Sequence, residues 1–222
     1  MEYETEEQQL EAIKKWWKEN SSLVIIGVAI GISSIFGWQF YQTNQITHAQ
    51  NASVLYEQVL INSANPAKMS DALASVNELE ADFEDTPYAS LSALIVAKQQ
   101  LSEGAFDKAE QQYRWVIENS AQDELMYLAK IRLSRLLLTL KKQDEALALL
   151  NGAYPESYHA MVFELKGDVL SVQGKSAEAK IAYMQARILS QDPNRWLQLK
   201  IDDLGEKMTK PTIKSATNKP AA

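Results

Sequence analysis

"ELKGDVLSVQGKSAEAKIAYMQARILSQDP", Glu164 to Pro193, reads as two helical segments around one turn. Gly174 supplies the turn, a small and acidic run from Ser176 to Glu178 opens the second segment, and Ala179 follows the turn by five residues. Two other stretches share that layout, "EGAFDKAEQQY" around Ala109 and "KKQDEALALL" around Ala146. The three alanines are 37 and 33 residues apart, and a further step of 37 toward the N-terminus lands on Ala72 in "KMSDALASVNEL". A small side chain at each helix crossing lets two backbones approach, and stacked helix pairs bury together a core that one pair cannot. Apolar residues keep helical spacing, as Leu133, Leu136, Leu137 and Leu140 do, and no run alternates as a half-buried strand would. The expectation is an all-α domain.

A period near 34 with these small positions resembles the tetratricopeptide repeat. In the last unit Gly167, Leu170, Gly174, Ala179, Tyr183 and Ala186 fall in that family's order, and Pro193 ends the unit. The middle unit departs from it, with Leu150 where an aromatic is usual and "NGAYPES" afterwards. The stretch around Ala72 departs most and is read as a fourth hairpin or a cap. Pro87, after Asp85 and Thr86, opens a helix well because proline at the first helical position gives up no hydrogen bond the helix would use. The first helices of the three clear hairpins are expected at about 87–102, 125–140 and 158–172. Solenoids of this type hold extended peptides or partner helices on their concave side. Lys98, Arg135, Glu164 and Asp168 are the partner-binding candidates placed there, and a solvated polar face is the competing reading of all four.

The N-terminal part differs in kind. "KKWWKENSSLVIIGVAIGISSIFGWQFYQ", Lys14 to Gln42, lies in a chain with no Asp, Glu, Lys or Arg between Glu19 and Glu57. The 19 residues from Leu23 to Tyr41 would cover about 28 Å as a helix, close to the ~30 Å of a bilayer's hydrocarbon. Trp16 and Trp17 precede this run, and Trp38, Phe40 and Tyr41 close it, as the two membrane interfaces favour. A cleaved export signal has a shorter apolar core and small residues at its cut site. Phe36 and Trp38 stand there instead, and residues 1–20 hold six glutamates beside three lysines. A retained transmembrane helix is expected. Lys14, Lys15 and Lys18 flank it on one side, while the other side has no Lys or Arg before Lys68. The positive-inside rule then keeps the N-terminus in the cytoplasm. Gly27 and Gly31, with Ser33 and Gly37 repeating the four-residue spacing, are candidates for membrane-helix packing, against the plain frequency of Gly and Ser in such helices. The expected division is 1–20 cytoplasmic segment, 21–42 transmembrane helix, 43–205 helical domain and 206–222 disordered tail, the last too poor in large apolar residues to offset ordering entropy.

Composition narrows the chemistry. The chain has no cysteine and two histidines, His48 and His159, in no metal-binding spacing. No phosphate-binding glycine loop or nucleophile elbow occurs. The net charge of −7 tells against nucleic acid, whose binders carry a clustered basic face. No enzyme activity, metal or cofactor is expected.

The juxtamembrane stretch "EAIKKWWKEN", the anchor ending "FGWQFY" and the hairpins beyond resemble, over residues 4–204, the family of ancillary subunits of the bacterial SecYEG translocon. That resemblance implies an inner-membrane protein whose repeat domain faces the periplasm beside the Sec channel. It implies a membrane-anchored, prolyl-isomerase-like periplasmic chaperone as partner, and assistance to exported proteins still unfolded as they emerge. It also implies a second role, envelope-stress regulation through the cytoplasmic segment. There Leu10, Ile13 and Trp17 line one helix face, able to dock a partner or to lie among lipid headgroups.

Overall fold

A helix of 58 residues, α1 (Glu6–Ser63), opens the chain. The computed structural model describes residues 6–190 and 195–209. After α1 come a 3-10 turn (Pro66–Lys68), α2 (Met69–Asp82), α3 (Pro87–Ser102), α4 (Phe106–Asn119), α5 (Asp123–Thr139), α6 (Gln143–Leu150), α7 (Glu156–Val172), α8 (Ser176–Leu189) and α9 (Arg195–Thr209). No strand occurs among the described residues. The chain divides between Ser53 and Val54 into two units.

Within the first unit, α1 crosses the expected limits at residues 20 and 42 without a break. One 18-residue window reaches a mean hydropathy of 1.9 with none of it buried against protein, so the helix is long and apolar enough to cross a membrane. A soluble core helix would bury those side chains. Here Ile25, Ile30 and Phe36 all face outward, as the apolar side chains of a membrane-crossing helix do. The Ser34 hydroxyl donates to the Ile30 carbonyl at 2.8 Å, so even this polar group is satisfied within the helix, as hydrocarbon demands. A β-carbon built on Gly27, Gly31 or Gly37 meets nothing within 4 Å. The small-residue stripe is open.

In the second unit the helices pair as three hairpins, α3 with α4, α5 with α6 and α7 with α8, and α9 packs on α8. Each hairpin closes through the same turn. Lys175 N–H donates to the Leu170 carbonyl at 2.9 Å and Gly174 N–H to Ser171 at 3.0 Å, with Gly174 at φ 76°. Gly104 (φ 75°) closes the first hairpin with bonds from Ala105 to Gln100 and from Gly104 to Leu101, and Lys141 (φ 61°) closes the second with bonds from Lys142 to Leu137 and from Lys141 to Leu138. These bonds use the carbonyls that a helix end leaves over, and the left-handed residue between them favours glycine. Lys141 is the exception. Five residues past each turn, Ala109, Ala146 and Ala179 are fully buried, as is Ala72 in α2.

The stretch around Ala72 belongs to a fourth hairpin. Its first helix is the end of α1, where the Ser75 hydroxyl donates to Gln58 Oε1 at 3.2 Å and the Tyr56 and Tyr88 rings lie 5.5 Å apart. Asn65 caps the intervening turn by accepting from Ala67 N–H at 3.0 Å. Helix α3 spans the expected residues. Helices α5 and α7 each begin two residues earlier than expected, at Asp123 and Glu156, whose carboxylates suit the positive end of a helix. One core runs from α3 to α7 through Leu94, Ile131, Leu137, Leu150 and Leu165. A second joins Tyr183 and Ala186 to Leu197, Ile201 and Leu204 of α9. The disordered tail expected from residue 206 starts too early, because α9 continues to Thr209. Residues 210–222 lie outside the described ones.

Candidate functional site

Lys98, Arg135 and Asp168 share one register position, six residues before Gly104, Lys141 and Gly174 respectively. Glu164 lies one helical turn before Asp168. The repeat therefore sets these four side chains on equivalent faces of α3, α5 and α7. It does not give them one environment. They divide by sign into two grooves of the same construction, each built from a hairpin and the helix that follows it.

In the groove of α7, α8 and α9 the Lys200 cation is compensated within the chain. Lys200 of α9 donates from Nζ to Asp168 Oδ1 at 2.7 Å and to Glu164 Oε1 at 2.9 Å. The Tyr183 hydroxyl donates to the same Asp168 oxygen at 2.8 Å, and Lys200 Nζ sits 5.5 Å from the Tyr183 ring centre. Burial opposes the Lys200 charge, but the bonds to Asp168 and Glu164 outweigh it and hold the ammonium above its usual range. Burial first, then the bond to Asp168, pushes the Tyr183 hydroxyl far above its ordinary value. Gly167 makes room for that ring: a β-carbon there would press into the Tyr183 ring, 2.9 Å from its Cγ. Glu164 and Asp168 are thus engaged within the chain.

The groove of α3, α4 and α5 has a volume of about 370 Å³. Tyr113 stands where Tyr183 stands in the other, nine residues past the turn. Lys98 replaces Asp168, and α5 contributes Arg132 and Arg135 where α9 contributes Lys200. Leu101, Phe106 and Leu136 form its apolar wall. Burial pushes the Tyr113 hydroxyl up, and the Arg132 charge partly opposes that. Among the described residues, none of the three cations has a side-chain hydrogen bond or an ion pair.

A third cluster ties the second helices together. Glu110 of α4 accepts from Arg114 at 2.6 Å and from Lys142 at 3.0 Å, and Arg114 reaches Glu145 of α6 at 3.0 Å. Burial raises the Glu110 carboxyl, yet the two bonds outweigh it and leave it below the usual carboxylate range. The Tyr154 carbonyl, just before α7, accepts from His159 Nε2 at 3.0 Å. Arg132, Tyr113 and Lys200 were not among the sequence candidates. Counting three residues back from Arg135 finds Arg132, and the shared tyrosine position finds Tyr113. Nothing local finds Lys200, which acts from a helix beyond the repeats.

A model of a tetratricopeptide repeat-like domain matches residues 14–206. Three relatives, each named ancillary SecYEG translocon subunit, align with most of the chain. The one from Escherichia coli (strain K12) is 27% identical over 91% of this chain and 98% of its own length. Those from Haemophilus influenzae and Aggregatibacter actinomycetemcomitans are 31% and 32% identical, each over 82% of this chain and 88% of its own length. With an apolar N-terminal helix and a hairpin array in the same order as the matched region, the chain belongs to the family of ancillary SecYEG translocon subunits.

Proposed function

We propose that the chain is a non-enzymatic scaffold of the Sec machinery, spanning the inner membrane once with its N-terminus in the cytoplasm and its repeat domain in the periplasm. The repeat domain holds a membrane-anchored, prolyl-isomerase-like chaperone beside the channel, where both meet exported proteins as they emerge. The observation that carries this reading is the pair of grooves: in one, Lys200 of α9 engages Glu164 and Asp168, and in its equivalent Lys98 and Arg135 have no such partner among the described residues. The anchor confines the search for partners to the membrane plane and raises their effective concentration. The stripe of Gly27, Gly31, Ser33 and Gly37 adds a lesser contact, because helix association in lipid depends on close packing alone.

Mild-detergent copurification with mass spectrometry tests this. The chain is expected to bring down the translocon and a chaperone. Gly27→Leu with Gly31→Leu should retain the chaperone, and replacing residues 44–205 by an unrelated soluble domain should lose it. The opposite pair of results places the contact in the membrane and refutes the scaffold reading. A reporter active only outside the cytoplasm, fused at Lys210, should be active, as the flanking Lys14, Lys15 and Lys18 require.

A second reading, an envelope-stress regulator acting through residues 1–20, is favoured by one observation. Leu10, Ile13 and Trp17 are all exposed on α1. Deleting residues 2–12 should abolish such a response while leaving the outside partners bound.

A further inference from the structure

We infer that the groove of α3, α4 and α5 is a docking site for an acidic polypeptide segment, one that presents two or more Asp or Glu side chains next to aliphatic ones. This deepens the scaffold reading and rests on it for the segment's owner, but not for the chemistry.

The two equivalent grooves set the argument. In the later one, two carboxylates on the first helix, Glu164 and Asp168, take up the ammonium of Lys200 from the next helix, and Asp168 also accepts from the Tyr183 hydroxyl. In the earlier one the first-helix charge is inverted to Lys98, while the next helix still supplies cations, Arg132 and Arg135. Three cations line one groove whose lining holds no Asp or Glu, in a protein whose net charge is −7. Lys98 and Arg135 are exposed, so water screens their repulsion and leaves both within reach of an anion from solution. An electrostatic excess against the sign of the whole molecule therefore points to a negative ligand.

The donors narrow its kind. Each guanidinium offers a planar fork that matches a carboxylate. A polypeptide terminus brings a single negative charge, too few for three cations on two helices, so the charges come from side chains. Leu101, Phe106 and Leu136 give the groove an apolar wall, which suits aliphatic residues between the acids and makes a fully polar anion a poor fit. This is the helix-in-groove or strand-in-groove mode of peptide recognition, with affinity shared between apolar anchors and charge.

The test uses the full chain in phosphatidylcholine nanodiscs and a short labelled peptide of alternating Glu and Leu pairs, acetylated and amidated, read by fluorescence anisotropy. Wild type is expected to bind it, and more weakly as salt is raised. Arg135→Gln should bind about tenfold more weakly, the scale of one lost charge-assisted hydrogen bond. Arg135→Lys, which keeps the charge and loses the fork, should fall between. A combined Lys98→Gln, Arg132→Gln, Arg135→Gln chain should not bind at all, with an unchanged helical circular-dichroism spectrum. The same peptide with Gln for Glu should fail, whether its C-terminus is amidated or free. The inference is overturned if Arg135→Gln and Arg135→Lys both bind like wild type, or if the Gln peptide binds as well as the Glu peptide. It is equally overturned if only the free C-terminus confers binding, or if phosphatidylglycerol vesicles occupy the groove and the Glu peptide does not. A chain that binds the Glu peptide through these residues yet copurifies no translocon refutes the scaffold reading and leaves the groove chemistry standing. Copurification without peptide binding refutes the groove alone.

Discussion

Gly167→Ala sets two physical effects against each other, and the structure decides between them. Helix propensity alone favours alanine by about 1 kcal/mol in a helix interior. The new β-carbon, however, would press into the Tyr183 ring, with Cγ 2.9 Å away. The ring cannot swing aside, because it is buried and its hydroxyl is tied to Asp168 at 2.8 Å. Overpacking of this kind costs about 1–3 kcal/mol, and a ring held at both ends belongs toward the upper part of that range. The net expectation is a loss of about 1–2 kcal/mol, which for a domain of this size lowers the midpoint by about 2–8 °C. Thermal and urea unfolding followed by circular dichroism would measure it. Tyr183→Leu provides the control: in that background the clash is gone, and Gly167→Ala should become neutral or stabilising. The two sites should thus couple strongly in a double-mutant cycle. A Gly167→Ala protein more stable than wild type, or equal effects in both backgrounds, would refute the close helix crossing.

Other substitutions probe the repeat and its charges. Ala→Leu at Ala109, Ala146 or Ala179 should each cost about 1–3 kcal/mol, whereas the same change at exposed Ala148 or Ala177 should stay within about 0.5 kcal/mol; comparable shifts at all five would sink the register. Lys141→Gly should stabilise by about 0.5–1 kcal/mol, because a non-glycine residue pays for the left-handed turn, and Gly104→Ala should do the reverse in the same melting assay. Burial pushes the Glu80 carboxyl from 4.5 up to about 7, with Oε1 left unpartnered. Its folded form favours the proton, so its contribution to stability is complete below the unfolded pKa and is lost as pH rises toward 7. Glu80→Gln should flatten urea midpoints over that window, and an unchanged slope would exclude the assignment.

The repeat was legible because its marks are local. A turn, a small residue five positions on and a helical apolar period all fall within one hairpin, and Ala109, Ala146 and Ala179 sit where that spacing puts them. The anchor was legible for the same reason, as a run of uncharged residues edged by Trp16, Trp17, Trp38 and Tyr41. What escaped depends on contacts beyond the repeat. Asp168 shares its register position with Lys98 and Arg135, but Lys200, 36 residues after Glu164 and 32 after Asp168, engages both carboxylates. No feature within their own hairpin announces that partner. The continuity of α1 escaped for the opposite reason: the change from apolar to polar composition after Tyr41 suggests a boundary, yet nothing there interrupts a helix.

The spacing of the inter-hairpin bonds bears on how the protein is made. Side-chain bonds from one hairpin to the next span 29 to 36 residues, from Gln173–Asp144 to Lys200–Glu164. At a synthesis rate of about 5–20 residues per second, a stretch of that length appears in roughly 2–7 s, far slower than helices form. Each hairpin of the growing chain therefore finds its N-terminal neighbour already in place, while bonds such as those from Lys200 to Glu164 and Asp168 wait for the next helix. At any moment no more than one hairpin's worth of apolar surface waits to be covered.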